Sequence, residues 1–205
     1  MIVIVDYRMG NLGSIANILR KIGAEGIVSR DANVIGKATK LILPGVGAFD
    51  EGMRNIAALG LLDVLGRRVL RDQVPTLGIC LGMQLMARGS EEGNATGLGW
   101  LAGDVKRFRF APARAALKVP HMGWNTVKAE KQSLLLARYS EPPRFYFVHS
   151  YFVVCDDTGD VLATASYGGN FTAAFQRGNL MGVQFHPEKS HKFGMTLFRN
   201  FVEYF

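Results

Sequence analysis

The chain has 205 residues, 48% of them hydrophobic and 20% charged, values ordinary for one soluble globular domain over residues 1–205. No apolar run approaches the roughly 20 residues of a membrane span. The start, MIVIVDYRMGN, lacks the basic residues and longer apolar stretch of a signal peptide, so a cytoplasmic protein with no membrane partner is expected. A net charge of +7 and a pI near 9.6 first suggest nucleic acid, but the basic residues are scattered and their densest runs, 67–71 and 106–109, carry no recognition motif. No nucleic-acid partner is expected.

In chain order, Ile2–Val5 reads as a short buried strand. Asn11 is positioned to cap a helix in which Leu12, Ile15, Ile18, Leu19 and Ile22 recur at three- and four-residue steps, with Gly23 as the stop. Gly26–Ser29 and Lys40–Leu43 read as two more strands, the second ended by Pro44. Helical patterns run through Asp50–Leu59 and Leu61–Leu70, and Pro75–Ile79 is a fourth strand that runs into Cys80. This alternation predicts an α/β fold with a mostly parallel sheet flanked by helices. The second half changes character. Val105–Phe110, Lys118–His121, Phe145–Val154, Val161–Ser166, Phe171–Gln176 and Met181–Phe185 read as strands separated by short turns, which predicts antiparallel additions to the sheet. The chain closes on a helical segment, Gly194–Tyr204, with Met195, Leu197, Phe198, Phe201 and Val202 on one face.

The chemistry concentrates in two motifs. Gly78-Ile79-Cys80-Leu81-Gly82 has the form G-x-C-x-G between an apolar strand and a predicted helix, Met83–Arg88, the context a nucleophile elbow requires. There the backbone N–H groups at a helix start favour an anion, the thiolate is the reactive form, and the N–H of Leu81 would face an oxyanion. The second motif, Phe185-His186-Pro187-Glu188, puts a histidine past a strand with a carboxylate two residues on. A cysteine nucleophile needs a base to take its proton and an acceptor to fix the base's tautomer, roles that suit His186 and Glu188. His121, His149 and His191 are weaker candidates for the base: His121 reads as structural or surface, His149 as a pocket wall and His191 as a solvated turn residue. The remaining cysteine, Cys155, reads as a small core residue. No metal-ligand spacing is present, and this chemistry calls for no metal or cofactor. An esterase-like α/β-hydrolase fits less well, because its acid normally precedes the histidine in the chain.

Gly78–Gln84 (GICLGMQ) with Gly182–Ser190 (GVQFHPEKS) resembles the class I, triad-type glutamine amidotransferases. Pro44–Phe49 (PGVGAF), Pro120–Asn125 (PHMGWN) and Tyr146–Tyr151 (YFVHSY) narrow the likeness to the glutaminase subunits of imidazole glycerol phosphate synthase. The resemblance implies an α/β glutaminase that hydrolyses L-glutamine and passes ammonia to a partner chain. That partner would be a cyclase subunit of the HisF type, a (β/α)8 barrel, bound as a heterodimer. It further implies that Gln84, His149, Ser150 and Tyr151 bind the glutamine head with Gly47 nearby, and that Asn11, Trp124 and Lys189 meet the partner. A second oxyanion donor is expected from the PGVG loop. There Val46 lies between Gly45 and Gly47, so its peptide is free to rotate and to turn inward when the partner binds. One departure is visible: Asp6-Tyr7-Arg8 carries arginine where the family usually has glycine. Related glutaminases feed other acceptors, including an enzyme that amidates bacterial surface sugars, and the catalytic motifs do not separate these cases.

Overall fold

A computed structural model of the chain describes residues 1–111 and 117–205. Its first half alternates as predicted: β1 (Ile2–Val5), α1 (Leu12–Lys21), β2 (Gly26–Ser29), a short α2 (Ala32–Ile35), β3 (Lys40–Leu43), α3 (Phe49–Ala58), α4 (Leu62–Gly66) and β4 (Thr76–Ile79). The helix expected over 61–70 breaks after Gly66 into a π-helical turn, Arg67–Arg71. Helix α5 (Leu81–Leu85) starts directly after Cys80 and is shorter than the predicted 83–88 segment, so the helix dipole behind the sulfur is small.

The second half supplies β5 (Gly103–Arg107), β6 (His121–Thr126), β7 (Lys128–Ala129), β8 (Arg144–His149), β9 (Tyr151–Cys155), β10 (Val161–Ser166), β11 (Asn170–Arg177), β12 (Leu180–Val183) and the closing helix α6 (His191–Tyr204). Two expectations are corrected here. The strand expected over 118–121 begins only at His121, because Pro120 has no N–H to give a ladder. The long strand expected over 145–154 is two strands broken at Ser150, since its halves pair with different partners, β8 with β6 and β9 with β5.

The eight-stranded main sheet runs β2-β1-β3-β4-β12-β11-β10-β7. Strands β2, β1, β3, β4 and β12 are parallel, and β11, β10 and β7 continue antiparallel. Apolar layers cover both faces. Phe49, Met53, Ile56, Leu65, Leu81 and Leu85 pack under α3, α4 and α5. Ile15 and Leu19 of α1 and Phe193, Leu197, Phe198 and Phe201 of α6 cover the other face. Each large side chain so buried contributes about 1.5–3 kcal/mol.

The sheet order is what positions the site. Strand β12 joins beside β4 although most of the chain's second half separates them, with Ile79 opposite Val183. The residues that leave the two strands at that end are Cys80 and the segment Gln184–Glu188. No helix among the described residues is long and apolar enough to cross a membrane.

Candidate active site

Cys80 sits at a sharp turn with φ 52° and ψ −109°, a left-handed conformation unusual outside glycine. Its N–H is held by the Val183 carbonyl at 2.8 Å. Two glycines make the turn possible. A side chain at Gly82 would stand 1.8 Å from the Leu43 carbonyl oxygen, and one at Gly78 would stand 2.7 Å from the Met83 nitrogen. Leu81 opens α5, so its N–H has no acceptor within the helix.

His186 follows β12, and its own backbone is tied to β8. Its N–H donates to the Tyr146 carbonyl at 2.9 Å, and the buried Ser190 hydroxyl donates to its carbonyl at 2.6 Å. Pro187 opens the next turn. His186 Nδ1 donates to Glu188 Oε1 at 2.7 Å, both side chains being 1% exposed. That bond leaves Nε2 as the proton acceptor; it is buried and has no partner among the described residues. Burial of the ring opposes its charge, but the Cys80 sulfur and the Glu188 carboxylate outweigh burial and raise His186 well above the ordinary imidazole value. Glu188 is affected in the complementary sense. Burial raises it, and the His186 ring and the Asn11 amide more than reverse that.

Asn11 does not cap α1, where no side-chain bond to the helix forms. Its Nδ2 instead donates to Glu188 Oε1 at 2.8 Å. The side chain thus turns inward to the carboxylate, whose bond competes successfully with the weaker cap.

Cys80, His186, Leu81, Val46, Gly47, Gln84, His149, Ser150 and Tyr151 all line one cavity of about 320 Å³. The fold therefore brings together in one wall nearly every residue that the sequence singled out for catalysis and substrate. Glu188 stands behind His186. Trp124 and Lys189 lie outside the cavity and form a surface patch: Trp124 is 47% exposed and stacks on His191 at 5.6 Å, while Lys189 lies over the Tyr146 ring at 5.8 Å. His191 is the first residue of α6 rather than a free turn.

A pair of histidines, His121 and His149, stands beside this group. His149 Nδ1 donates to the Tyr151 carbonyl at 2.8 Å, so its Nε2 accepts from His121 Nδ1 at 3.0 Å. His121 Nε2 is then left to accept from Asn125 Nδ2 at 3.3 Å. Burial pushes His149 down to about 3 and His121 down to about 4, so both are neutral near pH 7.

Three lining residues were not named as site residues from the sequence: Pro120 and Val148, which lie within the segments 120–125 and 146–151, and Glu92, which lies in neither. Glu92 Oε2 accepts from the Phe49 N–H at 2.8 Å, at the start of α3. Its loop, between α5 and β5, has no periodicity that would single out one carboxylate. Arg8 has φ 68°, the left-handed region that favours glycine. No group of three His, Cys, Asp or Glu residues among the described residues could hold a metal ion.

The profile of the family "Glutamine amidotransferase class-I" matches residues 3–204. Among curated relatives, "Imidazole glycerol phosphate synthase subunit HisH 2" of Methanococcus maripaludis is 51% identical over 99% of both chains, and the protein of that name in Pseudomonas aeruginosa is 50% identical over 99% of both. "Imidazole glycerol phosphate synthase subunit HisH" of Leptospira interrogans is 46% identical over 98% of this chain and 99% of its own. A solved structure titled "Structure of PurLQS from Thermotoga maritima" superposes with a TM-score of 0.76 at 18% identity, covering 99% of this chain and 97% of the other, a likeness of fold.

Proposed function

The chain belongs to the class-I glutamine amidotransferases and, within them, to the HisH family, and from that premise we propose that it acts in the cytoplasm as the glutaminase subunit of imidazole glycerol phosphate synthase. The observation that carries the reading is the single cavity shared by Cys80 and His186, with Glu188 bonded behind the ring.

L-Glutamine enters with its carboxamide against Cys80. His186 Nε2 takes the thiol proton, and the sulfur attacks the amide carbon. The negative charge that develops on oxygen is met by the N–H of Leu81 and a second donor at Val46. His186 returns the proton to the amide nitrogen, the C–N bond breaks, and ammonia leaves a glutamyl thioester. Water activated by His186 then cleaves the thioester to glutamate. Glu188 fixes the ring's tautomer and steadies its cation, and Asn11 fixes Glu188. At the head of the substrate Gln84, His149, Ser150, Tyr151 and Gly47 form the walls, and the Glu92 carboxylate suits the α-ammonium group.

Ammonia is mostly protonated in neutral water and is then a poor nucleophile, so a biosynthetic use favours direct transfer. The whole chain serves as one glutaminase domain, and the acceptor is a cyclase barrel of the HisF type in a heterodimer. The exposed Trp124 and Lys189 patch, beside the His186 segment, suits that docking. Partner binding turns the Val46 peptide into the oxyanion site, so the free chain should be about 10²–10³-fold slower than the complex.

The test uses the chain with its cyclase. Cys80→Ala should abolish glutamine-dependent formation of imidazole glycerol phosphate and leave the ammonium-dependent reaction intact. Loss of both, or of neither, contradicts the proposal. A second reading keeps the glutaminase and changes the acceptor to a sugar-amidating enzyme. Arg8, at the position of the glycine expected in the N-terminal loop, is the observation that favours it. The chain that co-purifies decides between them.

A further inference from the structure

Gln184 takes part in none of these steps, yet it stands beside the sulfur. Because Ile79 and Val183 are opposite each other on adjacent parallel strands, the next residues, Cys80 and Gln184, leave the sheet side by side. Gln184 is fully buried, and its N–H is held by the Ala173 carbonyl at 2.9 Å. Its side chain completes a line of hydrogen bonds. Gln84 Nε2 donates to the Tyr151 carbonyl at 3.0 Å and to Gln184 Oε1 at 3.0 Å. Gln184 Nε2 then donates to Cys80 Sγ at 3.7 Å, within reach for the larger sulfur atom.

The direction of this line is forced. A main-chain carbonyl only accepts, so the Gln84 atom on Tyr151 is the amide nitrogen. Its second hydrogen points at Gln184, so the atom it meets is Oε1, and the end of Gln184 facing the sulfur is the NH₂ group. Turning Gln184 over would set two NH₂ groups against each other and leave a buried donor unpaired, at the cost of its full desolvation. A group that can only donate stabilises a thiolate more than a thiol.

We propose that Gln184 is a fixed hydrogen-bond donor to the Cys80 sulfur, favouring its thiolate and aiming it at the cavity, and that Gln84 and the Tyr151 carbonyl lock Gln184 in that sense. The proposal rests on the reading of Cys80 as nucleophile. Since Gln84 and Tyr151 also line the cavity, the same bonds link the glutamine site to the state of the sulfur.

The test is the pH dependence of Cys80 alkylation by iodoacetamide in the full chain, with peptide mapping to separate Cys80 from Cys155. Gln184→Met keeps the volume and removes the donor. Its alkylation midpoint should rise by about one pH unit, the worth of one hydrogen bond to a charged group. The kcat/KM of the complex below that midpoint should fall about tenfold with KM little changed. Gln184→Leu removes the donor and the acceptor together, and its midpoint should rise by a similar amount. Thermal unfolding identifies which variants are folded, and either folded variant decides the matter. A midpoint equal to that of the parent overturns the proposal, because a role in packing alone would lower the unfolding temperature without moving the titration. A parent Cys80 that alkylates no faster than an unfolded cysteine at any pH overturns instead the reading on which the proposal stands.

Discussion

His186 and His149 face the same cavity, the second with His121 behind it, and the two buried sites end in opposite states. His186 has a carboxylate on one side and a thiol on the other, and it is raised above the ordinary imidazole value in spite of burial. His149 and His121 have a carbonyl, an amide and each other, and burial carries them down to about 3 and about 4. Depth alone therefore does not decide what a buried imidazole does. The nearest charge does, and it separates a base that can carry a proton from a pair that stays neutral.

The difference between the two sites depends most on Glu188. Glu188→Gln keeps a polar partner near the ring and removes the charge, so kcat for glutamine hydrolysis should fall by about 10³–10⁴-fold, by analogy with an acid lost from other triads. An effect below tenfold would mean that the carboxylate does not govern His186. A smaller loss should follow Asn11→Ala, which deletes one hydrogen bond to the buried carboxylate. About a 10-fold to 100-fold fall in kcat is expected, with KM unchanged. If KM rises instead, Asn11 acts on substrate or partner and not on Glu188.

The neutral pair makes the opposite prediction, one of stability. An unfolded chain protonates both histidines from about pH 6.5 downward. The folded chain leaves them neutral until about 4 and about 3, so across that window the unfolded state binds more protons. Stability must then fall as pH falls. Thermal unfolding followed from neutral pH into this window should show a steep decline, and the variant carrying His121→Gln with His149→Gln should decline less steeply. An equal slope would place the acid-sensitive groups elsewhere. The smallest effect belongs to Arg8, three residues before Asn11 and left-handed. Arg8→Gly relieves up to about 1 kcal/mol of backbone strain, a rise of about 2–4 °C in Tm, and should leave kcat unchanged. A change in kcat would tie that loop to Glu188.

The sequence was most legible where a residue's role depends on its own neighbours in the chain. The strand, turn and helix around Cys80 follow from apolar runs and two glycines, and the positive φ of Cys80 accords with the elbow they predict. His186 with Glu188 is readable because Pro187 keeps the two close. What depends on pairing was hidden. Nothing in Phe145–Val154 announces that Ser150 ends one strand and that the next joins another sheet. Asn11 looks like a cap until the fold sets Glu188 beside it, far along the chain. Gln184 lies inside a motif read for its histidine, and its bond to the sulfur depends on the register of β4 with β12, which no local pattern carries.

The most direct measurement is peptide-mapped mass spectrometry of the chain, quenched during glutamine turnover with the cyclase present. The peptide that holds Cys80 should carry a glutamyl adduct, and the adduct should be absent in Cys80→Ala. Glutamate formed at the full rate with no adduct on that peptide, or with the adduct on Cys155, would contradict the account.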